Sequence, residues 1–75
     1  MEIFFFGQLA DIAGKSNWQT GGLPDTDSLK AKLEADFPAL KQAKYMVAVN
    51  KRIVQYNTSL SGNETIALMP PFSGG

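Results

Sequence analysis

No cysteine and no histidine occur in this 75-residue chain. The first absence rules out a disulfide staple and thiolate chemistry. The second removes the commonest general base and the commonest protein metal ligand. Neither sign of charge is in excess: 7 Lys and Arg balance 7 Asp and Glu, without a run of like charge. The basic stripe that a nucleic-acid partner requires is therefore missing. Long apolar runs are missing too. At the N-terminus only Ile3–Phe6 is apolar, too short for a signal-peptide core, and Glu2 stands where such a leader carries positive charge. Nothing approaches a membrane-spanning length, so no membrane contact is expected and the expected compartment is the cytoplasm. A nucleophile-and-base pair would need Ser, Lys, Tyr or carboxylates, and no constellation of these stands out. These exclusions point to a binding or carrier module rather than a stand-alone catalyst. No metal site and no bound cofactor are expected.

What is present fits one small domain. A chain of this size buries only about 60% of its unfolded surface, so its core is thin. Glu2–Gln8, continuously apolar from Ile3 to Phe6, reads as a strand buried on both faces, with Gly7 marking a bulge or close backbone approach. "LADIAGK" is a short helix or loop ending at Gly14, and Asn17–Thr20 a second strand with Trp18 inward. "GGLPDTD" is loop punctuation closing on three helix N-cap types, Asp25, Thr26 and Asp27. The helix that follows puts Leu29, Leu33, Phe37 and Leu40 on one face, and Pro38 stops it near Phe37. "YMVAVN" and "RIVQY" are strands joined by a turn at Asn50-Lys51, and "TIALM" is the last strand. Lys51 and Arg52 read as solvated hairpin charges, and Asp11 as a helix or loop charge. Phe4, Phe5 and Phe6 are core or sheet-face residues, some of which can form an apolar patch for a partner.

The most continuously apolar strands are the first and the last, which places them together at the centre of the sheet. With one main helix packed over one face, the expected fold is α+β: a β-grasp, ubiquitin-like roll with a mixed five-stranded sheet. The expected division is a domain over 1–69 and an extended tail over 70–75. Pro70 cannot donate to a ladder and Pro71 favours a stiff, extended exit. From Pro70 to Gly75 the tail spans at most about 20 Å. Phe72 lies beyond the domain's own core, and Ser73 is small and polar. Gly74 and Gly75 carry no side chain and can thread a narrow channel. A terminal glycine carboxylate can be activated as an acyl adenylate without crowding at the α-carbon. With no cysteine in the chain, any sulfur it carries must sit there as a thiocarboxylate.

The whole chain resembles the small-subunit family of molybdopterin synthase, ubiquitin-like sulfur carriers. The landmarks are "FFFGQLADIAG", the helix end at Phe37, Pro38 and Leu40, the "VAVN" of Val47–Asn50, and the final Pro70-Pro71-Phe72-Ser73-Gly74-Gly75. The last motif is the most specific. The chain departs from the family pattern at Ala10-Asp11, at Ser61–Glu64 and at Phe72. The resemblance implies that a ubiquitin-activating-like adenylyltransferase uses ATP and magnesium to adenylate Gly75. Sulfur from a persulfide donor then replaces the nucleotide, leaving a thiocarboxylate. The tail, Pro70 to Gly75, next enters the large subunit of a heterotetrameric synthase and delivers sulfur to cyclic pyranopterin monophosphate. The catalytic side chains belong to the large subunit. Two alternatives remain open: a sulfur carrier for thiamine thiazole synthesis, and a protein modifier joined through Gly75 to a lysine amine.

Overall fold

The computed structural model describes residues 1–71. The elements in order are β1 (Glu2–Phe5), α1 (Gln8–Ala13), β2 (Asn17–Gln19) and α2 (Thr26–Asp36). A 3₁₀ turn (Pro38–Gln42), β3 (Met46–Val49), β4 (Arg52–Val54) and β5 (Thr65–Met69) complete them. The five strands form one sheet in the order β2-β1-β5-β3-β4. β1 and β5 are parallel, and the other pairs are antiparallel. The first and last strands are thus adjacent, with β5 central, as the β-grasp expectation requires.

Residues two apart share a face of a strand, and register decides which meet. Ile3 pairs with Ile66 and Phe5 with Leu68, while Val47 pairs with Leu68 from the other side. All five are buried on one face. Leu29 and Leu33 of α2, Leu9 of α1 and Leu40 of the 3₁₀ turn close over them and form the core. The expectation that β1 and β5 are buried on both faces is wrong. Burial alternates along each strand, because the helices cover only one side of the sheet. Phe4, Ala67 and Met69 point to the open side, where they are half-buried. Phe6 continues this row with its ring 6.5 Å from that of Phe4.

α2 begins where Asp25, in extended backbone, accepts a hydrogen bond from the Ser28 N–H at 2.9 Å. It ends because a residue before proline avoids helical backbone: Phe37 lies at φ −128°, ψ 78°. The chain then tightens into the 3₁₀ turn, which still delivers Leu40 to the core. Phe37 is a hub rather than one more residue of a helical stripe. Its ring meets Phe5 edge-on at 5.5 Å and Trp18 at 5.2 Å, with the Lys15 ammonium 5.6 Å from its centroid. Asn50 and Lys51 both take positive φ, 49° and 71°, the two-residue hairpin geometry whose twist suits β3 and β4.

The loop before β5 is sewn to the start of α2. The Thr26 N–H donates to the Thr58 carbonyl at 2.9 Å, and the Leu60 N–H to the Pro24 carbonyl at 2.8 Å. The buried Thr26 Oγ1 accepts from the Thr58 N–H at 2.9 Å and donates to Asn57 Oδ1 at 3.3 Å. Thr26→Val keeps the shape but leaves the Thr58 N–H without its acceptor. Urea denaturation should show a loss of about 1–3 kcal/mol.

Candidate functional site

The candidate site is the end of β5 and what adjoins it. β5 keeps its register with β3 to the last residue, Met46 opposite Met69. On the other side the Phe6 N–H donates to the Leu68 carbonyl at 3.0 Å, one rung beyond the β1 strand. Pro70 has no N–H, so the ladder closes there. Gly7 then turns the chain from β1 into α1 at φ +59°. A β-carbon at Gly7 would lie 2.9 Å from Cγ of Pro70, so only a bare backbone passes this close to the ring. Pro70 therefore follows a strand end at the centre of the sheet that is held on both sides. Pro70 and Pro71 are half-buried there. Phe72, Ser73, Gly74 and Gly75 lie outside the described residues.

Beside this strand end runs the open face of the sheet. One row of register partners crosses four strands: Phe4 opposite Ala67, Ala67 opposite Ala48, and Ala48 opposite Ile53. The two alanines make a shallow middle, bounded by Phe4 and Phe6 on one side and Ile53 on the other. Phe6 and Ile53 are 49% and 47% exposed, high for large apolar side chains. An apolar row of this kind, continuous with the strand end, suits a partner rather than water. The patch was anticipated only at the phenylalanines. Ile53 and Met69 come to it through register, which a single strand does not reveal, although each has the period-two phase opposite to the core residues.

Of the groups with shifted protonation, Asp25 and Glu64 lie away from the strand end at Pro70, and Tyr45 directly precedes Met46, the register partner of Met69. The Ser61 N–H, at 2.6 Å, leads the hydrogen bonds from Ser61, Gly62 and its own backbone that hold the Glu64 carboxyl down at about 2. Hydrogen bonds from Ser28, then from Asn57, lower the Asp25 carboxyl. Burial, and then the Glu34 carboxylate that accepts its hydroxyl at 2.8 Å, push Tyr45 up. Each of these contacts stitches a loop or anchors a helix. Among the described residues no cluster of His, Cys, Asp and Glu could hold a metal ion. No helix among them is long and apolar enough to cross a membrane. The arrangement offers a fixed strand end at Pro70 with an exposed apolar face next to it.

Comparison with known proteins gives the following. The ThiS family model matches residues 3–75. The molybdopterin synthase sulfur carrier subunit of Escherichia coli K12 is 25% identical over 80 residues, covering 100% of this chain and 99% of that one. The solution structure of small archaeal modifier protein 1 from Methanosarcina acetivorans superimposes with a TM-score of 0.81 at 20% identity, covering 99% of this chain and 94% of that one. The crystal structure of the Haloferax volcanii modifier protein of the same name gives 0.73 at 26% identity, over 99% and 97%.

Proposed function

The chain belongs to the ThiS family, and on that premise we propose that it is the sulfur-carrier subunit of a molybdopterin synthase, with the carboxyl group of Gly75 as its working group. The observation that carries this reading is a family match that extends through residue 75 on a chain whose central strand stops at a pair of prolines. The likeness to the Escherichia coli molybdopterin synthase carrier subunit, over 100% of this chain and 99% of that one, supports molybdopterin as the sulfur acceptor.

In this mechanism the Gly75 carboxylate attacks the α-phosphorus of ATP on a separate adenylyltransferase, releasing pyrophosphate. A donor persulfide attacks the acyl carbon and displaces AMP, and a second thiol then cleaves the acyl disulfide, leaving the thiocarboxylate on Gly75 and a disulfide on the donor side. The large subunit then takes up the tail and transfers sulfur to cyclic pyranopterin monophosphate. This chain contributes position. β1 and β3 fix the base of the tail, Pro70 and Pro71 stiffen its exit, and Gly74 and Gly75 pass where side chains cannot. Phe72 is the anchor between the stiff and the bare parts of the tail. Phe72→Ala should weaken binding to the large subunit by about 2 kcal/mol in a calorimetric titration, with an unchanged melting curve of the free protein. Equal affinity would move the anchor to the open sheet face.

The reading is tested by complementation. The gene should restore growth to a host lacking its molybdopterin carrier subunit and not to one lacking its thiamine thiazole carrier. The reverse pattern would assign the chain to thiazole synthesis. The likeness to the Haloferax volcanii modifier protein at 26% identity favours a second use, Gly75 joined to a lysine amine. Its signature would be a Gly-Gly remnant on lysines of cellular proteins after trypsin digestion of a chain carrying Ser73→Arg.

A further inference from the structure

A groove of about 570 Å³ opens between α1 and the 3₁₀ turn, with Pro71 on its rim. We propose that this groove is a second docking point for the enzyme that receives the tail, and that it takes an extended segment of that enzyme bearing a carboxylate opposite Lys44. The inference rests on the carrier reading and adds to it where, and by what chemistry, the receiving enzyme holds the body of the domain.

Three observations support it. The first is position. Pro71 lines the groove and leads directly into Phe72, so an enzyme that encloses the chain from Phe72 onward must meet the walls around Pro71. Once the tail is bound, the groove contact forms within one complex, and even a modest contact then adds to affinity. The second is charge. Lys44 is exposed and is the one charged side chain among the described residues lining the groove. Asp11, although on α1, is not part of the lining. The described lining therefore presents a single positive charge to whatever fills the groove. The third is the chemistry of the walls. Gln8 and Gln42 face the groove from opposite elements, and a primary amide both donates and accepts, as a peptide backbone does. Ala39 and Ala43 add only small side chains to the lining. The match is to an extended peptide with an acidic side chain.

The test uses the full chain and the molybdopterin synthase large subunit encoded in the same genome, titrated calorimetrically at low and high NaCl. Wild type is compared with Lys44→Glu, which reverses the charge, and Ala39→Trp, which puts a large side chain into the lining. Both positions are exposed, so both variants should melt as wild type does. The dissociation constant should rise at least about tenfold for each, and for Lys44→Glu the rise should be greater at low salt. If wild type binds and both variants bind equally well, the groove proposal fails and the carrier reading stands. Tighter binding by the variants would also overturn it, since the groove would then hold residues 72–75 of this chain and release them on mutation. If wild type does not bind the large subunit, the carrier reading fails and takes the groove proposal with it.

Discussion

One alanine added after Gly75 should abolish sulfur transfer while the protein melts as before. The added residue moves the carboxyl group outward by about 3.5 Å, one extended-chain step. It also sets a β-carbon beside the carbonyl that must be adenylated and later attacked. A displacement of about 1 Å in a reacting group can cost on the order of a hundredfold in rate, so a full residue should remove measurable product. The fold should not notice, because among the described residues the core reaches no further than Leu68 and the β5 ladder closes before Pro70. Purified components decide the matter: extended chain, adenylyltransferase, ATP, sulfur donor, large subunit and pyranopterin precursor, with molybdopterin assayed. Near-normal product would mean that the Gly75 carboxyl group is not what carries the sulfur. A pure docking domain would tolerate the addition.

Leu33→Ala should do the opposite, damaging the fold and leaving the chemistry of the tail untouched. Leu33 is 0% exposed in the middle of α2, over the sheet face formed by Phe5, Val47 and Leu68. Truncating a buried leucine costs about 2–5 kcal/mol, part from lost burial and part from the cavity left behind. Native domains have only about 5–15 kcal/mol in all, and small ones lie toward the low end. For a domain of this size each kcal/mol shifts the melting midpoint by about 4–8 °C, so a fall of roughly 10 °C or more is expected. Below the new midpoint the variant should still accept sulfur at Gly75. An unchanged midpoint would mean that α2 presents another face to the sheet.

Much of the fold was legible because its signals are local. Asp25 announces the start of α2 through its own cap, and Pro38 announces its end through the backbone of Phe37. Gly14 sits just after α1 in the left-handed conformation at φ 77°, where glycine is at no disadvantage. Asn50 tolerates the positive φ that the β3–β4 turn requires. What was not legible depends on partners distant in sequence. The apolar run from Ile3 to Phe6 looks the same whether one face of β1 is covered or two. Only the single layer of helices shows that Phe4 and Phe6 belong to an open face. The pairing of residues 24–26 with 58–60 was hidden for the same reason, since Asn57 and Thr58 carry no local mark of their contact with Thr26. At the candidate site, the tail motif was visible in full from Pro70 to Gly75. The strand end that precedes it, paired on both sides, was not. Gly7 signalled a close approach, and the structure identifies Pro70 as the group approached.

The central claim is that sulfur is carried on the carboxyl group of Gly75. It is tested most directly by the intact mass of the chain after incubation with the adenylyltransferase, ATP, magnesium and a sulfur donor, followed by fragmentation to place the change. The expected result is a gain equal to the difference between one sulfur and one oxygen, confined to Gly75 and absent when ATP is omitted. An unchanged mass under conditions that thiocarboxylate a known carrier, or sulfur found on any other residue, would contradict it.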